Sequence, residues 1–135
     1  MVIPLWFEHD LHDQLQVLQI LDFFHRESGA TSVHLVQTDD YLGRQTLEGI
    51  RRFNMLRAPV SAKQKALAAE FFKAFRISTP IELASFLDRD LAPLPHMKAA
   101  LRRLFEDLSG EGDGLSRTQR QILEVIEREG PPPKR

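Results

Sequence analysis

Two short apolar segments on either side of one amphipathic segment constrain the fold of this chain most strongly. Val2–Phe7 and Ser32–Gln37 are short, mainly apolar runs bounded by polar residues, a pattern typical of buried strands. Asp10 is a suitable N-cap for the helix between them. That helix has one apolar face, made by Leu11, Leu15, Leu18, Leu21 and Phe24 at spacings of three and four. A strand, a helix and a second strand predict a βαβ unit with parallel strands.

The chain after Thr46 carries only helical patterns. They predict helices over 47–56, 62–76, 80–87, 96–108 and 117–129, with Thr79 capping the third of these and Ser116 and Gln119 forming a capping box before the last. The fold class predicted is therefore α/β: an N-terminal βαβ unit (a partial parallel sheet) followed by four or five helices. The predicted organisation is a partial α/β unit at 1–60, a helical segment at 61–109, and a linker, a terminal amphipathic helix and a proline-rich tail at 110–135.

The predicted sheet is too small to stand alone. A parallel sheet needs both faces covered, and two strands form a marginal sheet with two open edges. The missing strands would come from another chain or from a larger domain. We therefore expect a partner: another protein chain, or a second copy of this one that associates through the sheet edge.

Composition excludes several classes of chemistry. The 135 residues include no cysteine, which rules out disulfides, thiolate zinc sites and thiol catalysis. No apolar run approaches the roughly 20 residues of a membrane-spanning helix. The N-terminal segment carries no basic region, and its short apolar run ends at an acid, Glu8, unlike a signal peptide. These features predict a cytoplasmic protein with no membrane association.

Charge is distributed unevenly along the chain. Residues 1–50 carry two basic residues against eight acids, whereas residues 51–76 carry seven basic residues against one acid. Such a basic stretch can bind nucleic acid. The candidate nucleic-acid-binding residues are Arg51, Arg52, Arg57, Lys63 and Lys65. The alternative is a solvated helix face that neutralises the acidic half within the fold.

Four motifs in the chain, taken together, resemble one bacterial family. They are Leu5-Trp6-Phe7-Glu8-His9-Asp10-Leu11-His12-Asp13-Gln14-Leu15-Gln16, Asp39-Asp40-Tyr41-Leu42-Gly43, Arg57-Ala58-Pro59-Val60 and Gly114-Leu115-Ser116-Arg117-Thr118-Gln119-Arg120-Gln121-Ile122-Leu123. In this order they are similar to the family called domain of unknown function 1835. The resemblance spans nearly the whole chain and implies an α/β fold.

The same resemblance implies that family members are longer than this chain. They begin with a strand and a Gly-Asp-Ser loop and continue after the Leu-Ser-Arg-Thr segment into a winged-helix-like part. Here that segment is followed by three prolines, Lys134 and Arg135. The resemblance thus covers the middle of the family pattern and implies little about the chemistry of this protein. Some relatives in the family carry labels that point to transcription.

Acidic residues follow both predicted strands. Glu8, Asp10 and Asp13 follow the first strand, and Asp39 and Asp40 follow the second. The carboxyl ends of parallel strands meet at the edge where open α/β sheets bind ligands. Carboxylate oxygens suit Mg²⁺ or Mn²⁺. These five residues are therefore the candidate metal ligands, with Mg²⁺ or Mn²⁺ as the cofactor.

Three further residues near this edge are candidate ligand-binding residues: His9, His12 and Tyr41. The alternative is purely structural, with Asp10 as a cap, Asp13 as a complement to the helix dipole and Asp39 and Asp40 in a turn. No nucleophile stands beside them, so no catalytic residue is assigned. His25, His34 and His96 lack the spacing of metal ligands and receive no role.

The segment 114–129 is a second candidate site. Leu-Ser-x-x-Gln-x-x-Ile-Leu resembles the first helix of helix-turn-helix modules, in which the following helix enters the major groove. No such helix follows here. The alternative is an amphipathic helix that packs on the body of the protein or on a partner.

Two functions remain open from sequence. The first is a non-catalytic regulatory or interaction protein associated with transcription, which would bind a partner chain or nucleic acid. The second is a metal-dependent α/β enzyme, such as a hydrolase, that acts on a phosphorylated or nucleotide substrate through the acidic residues. Convergence of the two acidic groups in one pocket would favour the enzyme.

Overall fold

The computed structural model describes residues 1–27 and 32–130. Two compact units divide the chain, Met1–Ala100 and Leu101–Arg135. The division predicted from sequence, at residues 60 and 109, is therefore not the one observed. Gly29, which the sequence predicts as the residue just after the first helix, and the proline-rich tail at 131–135 lie outside the described residues.

The first unit contains the predicted βαβ arrangement. Strands β1 (Val2–Phe7) and β2 (Ser32–Gln37) pair in parallel, from Val2 opposite Ser32 to Phe7 opposite Gln37. Helix α1 (Leu11–Arg26) joins them. Its first turn is capped by the Asp10 side chain, which accepts a hydrogen bond from the Asp13 N–H at 3.0 Å. Both strands have the predicted bounds.

A third strand was missed by sequence reasoning. Strand β3 (Ala58–Pro59) pairs antiparallel with β2, giving the sheet order β1-β2-β3. The Val60 N–H extends this pairing by donating to the Val33 carbonyl at 2.8 Å. Two residues are too few to show the alternation that identifies a strand in a sequence.

Among the described residues, five α-helices follow β2, which confirms the predicted α/β class. They are α2 (Leu47–Asn54), α3 (Ala62–Phe75), α4 (Ile81–Ala84), α5 (Met97–Glu106) and α6 (Arg117–Glu129), with 3₁₀ turns at Leu42–Arg44 and Ser85–Asp88. The predicted cap at Thr79 is wrong. Helix α4 begins after Pro80, without a side-chain cap, because proline already holds the backbone near helical angles.

Helices α1 and α3 pack against each other in the first unit. Its buried interior includes Leu18 and Leu21 from α1, Phe71 from α3, Val36 from β2 and Leu94 from the segment before α5. The helical segment after residue 60 thus shares its core with the βαβ unit. This shared core explains why the first unit continues to Ala100.

Strand β1 is an edge strand whose free side is interrupted by Pro4. The carbonyls of Met1 and Phe7 accept hydrogen bonds from β2 and its following residue, at 3.1 and 3.0 Å. Odd-numbered residues of β1 therefore direct their main-chain groups towards β2, and Pro4 faces the open edge. Proline has no N–H, so this edge lacks a donor at its centre.

The second unit contains several exposed ion pairs. Arg120 donates two hydrogen bonds to the Asp113 carboxylate, at 2.8 and 2.9 Å, and the Leu115 N–H donates to the same group at 2.9 Å. These hydrogen bonds hold the pKa of Asp113 well below its usual value. Arg117 pairs with Glu106, which links the first turn of α6 to α5. Within the described residues, none of the helices is long and apolar enough to cross a membrane.

Candidate functional site

The polar residues after β1 and β2 lie at the same edge of the sheet. Residues 8–10 follow β1, and residues 38–41 follow β2. The last residues of the two strands, Phe7 and Gln37, are directly paired. This is the edge at which open α/β sheets bind ligands. The placement of both acidic groups at one edge agrees with the prediction.

Glu8 and Asp13 serve the main chain. One oxygen of Glu8, Oε1, accepts a hydrogen bond from the Leu42 N–H at 2.7 Å, and Asp13 Oδ2 accepts one from the Glu8 N–H at 2.6 Å. The first bond fixes the 3₁₀ turn after β2 against the end of β1. The second fixes the end of β1 against the first turn of α1.

Asp10 and Asp40 also satisfy local donors. Asp10 is the N-cap of α1, as the structural alternative predicts. Asp40 accepts hydrogen bonds from the Tyr41 N–H at 2.7 Å and from Gln45 Nε2 at 2.8 Å. These bonds lower the pKa of Asp40, the bond from Tyr41 most strongly. Asp39 is exposed.

The predicted metal site is not assembled by these residues. Among residues 1–27 and 32–130, no three His, Asp or Glu side chains come together in a way that could hold a metal ion. The physical reason is that main-chain or side-chain N–H groups bind the carboxylates of Glu8, Asp10, Asp13 and Asp40. Each of these hydrogen bonds holds its carboxylate at a local donor, and no three of the described acidic or histidine side chains converge. Four of the five carboxylates thus hold the local structure, and the fifth, Asp39, is exposed.

A cluster of rings forms at the same edge. The His9 ring lies 5.2 Å from the Tyr41 ring and 6.3 Å from the His96 ring, measured between centroids. The Arg44 guanidinium lies over the Tyr41 ring, 5.1 Å from its centre. His12 is exposed on the first turn of α1. The structure therefore brings together two of the three candidate ligand-binding residues, His9 and Tyr41.

The environment of His96 in this cluster disfavours its charged form. Burial lowers the pKa of His96, the nearby His9 acts in the same direction, and the Asp39 carboxylate opposes both. His9 Nδ1 is buried and has no hydrogen-bond partner among the described residues. The neutral form of His96 is favoured in this setting. A neutral imidazole can accept or donate one hydrogen bond.

Sequence reasoning missed His96 and assigned it no role. It stands directly before α5, far along the chain from His9 and Tyr41. No local spacing signals such a contact. Only the packing of the segment before α5 against the sheet edge brings His96 there.

The candidate nucleic-acid-binding residues lie on and between two helices. Arg51 and Arg52 are on α2, Arg57 precedes β3, and Lys63 and Lys65 are in the N-terminal part of α3. None of these five forms an ion pair with another described residue. Arg51 and Arg52 line a groove of about 500 Å³ together with Met55.

Helix α6 carries an exposed apolar face. None of its 13 residues, Arg117–Glu129, is buried. The exposed fractions are 53% for Ile122, 52% for Leu123, 44% for Val125 and 40% for Ile126. The helix has the predicted bounds and capping box: the Ser116 side chain accepts from the Gln119 N–H, and the Gln119 side chain accepts from the Ser116 N–H. Its apolar residues have no cover within the described part of the chain.

Comparison with known proteins gives no relative: no family model, no curated protein and no solved structure matches the chain. The resemblance to the domain of unknown function 1835 family therefore stays a prediction. The site must be interpreted from its own geometry.

Proposed function

We propose that this protein is a non-catalytic interaction protein that self-associates through α6. The observation that carries the proposal is the apolar face of Ile122, Leu123, Val125 and Ile126, with no buried residue in the helix. Burying apolar surface contributes about 25 cal/mol per Å². Four large aliphatic side chains on adjacent turns are a strong driving force for helix pairing.

The charges of α6 favour a second copy in antiparallel orientation as the occupant. Its C-terminal part, 124–129, carries three glutamates and one arginine, whereas Arg117 and Arg120 in its first turn are already paired with Glu106 and Asp113. Both ends oppose the helix dipole, which favours acids at the N-terminus and bases at the C-terminus. An antiparallel copy keeps the two glutamate-rich ends apart, and its dipole runs in the opposite direction. A two-fold axis makes the two ends of such a pair equivalent.

Self-association through the sheet edge, the other route expected from sequence, is less favoured. Pro4 removes the donor at the centre of the free edge of β1. Proline on an edge strand is a common way to prevent edge-to-edge pairing. The α6 face has no comparable obstacle.

Light scattering of the full chain tests the proposal. We expect a dimer that dissociates to a monomer in Ile122→Glu, because the new carboxylate would be buried in the pair. The control is Gln121→Glu, which adds the same charge at the neighbouring position. Because Gln121 is not one of the four aliphatic residues, this variant should stay dimeric. A monomeric wild-type protein, or an Ile122→Glu variant that stays dimeric, would overturn self-association through α6.

Disulfide trapping tests the orientation, because the natural chain has no cysteine. A disulfide requires Cα atoms about 4.4–6.8 Å apart. In an antiparallel pair, Leu123→Cys at the middle of α6 can cross-link to its copy, whereas Glu129→Cys at the end cannot. Cross-linking at both positions would show a parallel pair.

A second function, nucleic-acid binding, is favoured by five cations that form no ion pair within the described part of the chain. Arg51, Arg52, Arg57, Lys63 and Lys65 would neutralise phosphates of nucleic acid in a transcription-associated role. Affinity for a duplex should then fall steeply with salt. Fluorescence anisotropy should show weaker binding for Arg51→Gln with Arg52→Gln, and unchanged binding for Arg26→Gln, whose side chain is paired with Asp22. Salt-independent binding, or none, would exclude this function.

A further inference from the structure

A groove of about 600 Å³ lies between the C-terminal parts of α1 and α3 in the first unit. This volume is within the range of about 300–1,000 Å³ that is usual for small-molecule sites. None of the residues that line the groove belongs to the ring cluster at the sheet edge. It was not singled out by the sequence.

The floor of the groove is apolar. Ala66, Ala69 and Phe72 come from one side of α3, and Ile77 follows the helix. The two alanines leave room between the helices because they have only a methyl side chain. Phe72 and Ile77 supply larger apolar surfaces at one end.

The wall of the groove carries two cations, Lys73 and Arg76, that form no ion pair within the described part of the chain. Two of its charged residues, Asp22 and Arg26, are paired with each other at 2.9 Å, and Glu70 is paired with Arg89 at 2.8 Å. Lys73 and Arg76 form no ion pair with another described residue. The Arg76 guanidinium lies 5.8 Å from the centre of the Phe72 ring, so the charge is held beside the apolar floor.

We infer that this groove binds a small amphipathic anion, an alkyl chain that ends in a carboxylate. The alkyl chain would lie on Ala66, Ala69 and Phe72, and the carboxylate would accept hydrogen bonds from Lys73 and Arg76. Hydrogen bonds between a guanidinium or ammonium group and a carboxylate are about twice as strong as neutral ones. A cation near a helix C-terminus also complements the helix dipole, but that role requires no apolar floor and no groove.

Titration of the ¹⁵N-labelled full chain followed by NMR tests the inference with three matched probes. Sodium octanoate has the chain and the charge, 1-octanol has the chain alone, and inorganic phosphate has charge alone. We expect octanoate, below its micelle concentration, to shift amide signals at 22–26 and 66–77. Octanol should bind about 10- to 100-fold more weakly, because it lacks the charge-assisted hydrogen bonds, and phosphate should shift no signals there.

Variants separate the contributions of charge and shape. Lys73→Gln with Arg76→Gln should weaken octanoate binding about 10-fold or more and leave octanol binding unchanged. Lys63→Gln, exposed on the same helix and outside the groove, is the control and should bind octanoate like the wild type. Ala69→Leu fills the groove and should block both probes.

Three outcomes would overturn the inference. The first is octanol binding as tight as octanoate binding. The second is octanoate binding that survives in the Lys73 and Arg76 double variant or in Ala69→Leu. The third is a set of shifted signals outside the groove, which would show that octanoate binds elsewhere, for example on the α6 face.

Discussion

The side chains of Gln14 and Gln37 are hydrogen-bonded inside the first unit: Gln37 Nε2 donates to Gln14 Oε1 at 3.1 Å. Gln14 is completely buried in α1, and its Nε2 donates to the Glu8 carbonyl at 2.8 Å. One amide therefore joins the helix to the ends of both parallel strands. Buried polar groups that are satisfied in this way fix the relative position of the elements that they join.

Replacing Gln14 by leucine should destabilise the first unit by about 1–3 kcal/mol. Leucine has a similar volume but leaves the Glu8 carbonyl and the Gln37 amide without their partner. Urea unfolding followed by circular dichroism measures the loss. Gln16→Leu, at an exposed position of the same helix, should stay within about 0.5 kcal/mol of the wild type. Equal stabilities of the two variants would show that the Gln14 bonds contribute nothing.

Stability of the first unit should depend on His96 between pH 7.5 and 5.5. Burial and His9 lower the pKa of His96 in the folded state, against the opposing Asp39. The unfolded chain therefore binds a proton at His96 more readily than the folded chain does. The contribution of His96 to folding stability is fully present above its unfolded pKa of about 6.5 and is lost as the pH decreases below it. In His96→Asn, the melting temperature should decrease less over this range.

The control for this prediction is His12→Asn, which changes an exposed histidine of α1. It should keep the pH dependence of the wild type. A His96→Asn variant with the full wild-type pH dependence would show that another group causes the effect.

Replacing Pro4 by valine should promote association through the sheet edge. Valine restores an N–H at the centre of the free edge of β1 and suits a strand. The measurement is light scattering against protein concentration, in the Ile122→Glu background so that α6 does not contribute. Pro95→Val, at an exposed position before α5, makes the same exchange away from the sheet edge and should have no effect. Unchanged scattering for Pro4→Val would show that Pro4 is not what protects the edge.

Divalent metal should not stabilise the protein. Hydrogen bonds from N–H groups already engage Glu8, Asp10, Asp13 and Asp40. A bound ion at a hundredfold excess over its dissociation constant would add about 2.7 kcal/mol. We expect equal melting temperatures in EDTA and in excess Mn²⁺, with NaCl at matched ionic strength as the control. An increase in Mn²⁺ that disappears in Asp39→Asn would restore the metal-dependent enzyme as a candidate.

The acidic edge shows how far sequence reasoning can reach for the site. The order of the elements places Glu8, His9, Asp40 and Tyr41 at one edge, and the structure has them there. The sequence shows which carboxylates lie at this edge, but not which main-chain N–H groups approach them. The Leu42 N–H, which binds Glu8, is brought there only by the turn after β2.

Local patterns alone determined much of the secondary structure. The bounds of Val2–Phe7, Ser32–Gln37 and Arg117–Glu129 follow from apolar runs and from the capping box at Ser116, because these signals lie within a few residues of each other. The α/β class followed from their order. The amphipathic character of α6 was equally visible, although the sequence could not show whether its apolar face is covered.

Tertiary structure decided the contacts between residues that are distant in the chain. These include the pairing of Ala58–Pro59 with β2, the approach of His96 to His9, and the packing of α3 on α1 that extends the first unit to Ala100. Each depends on how whole elements fill the space beside one another. Periodicity within one segment reports which side of that segment is apolar, but not which segment packs against it.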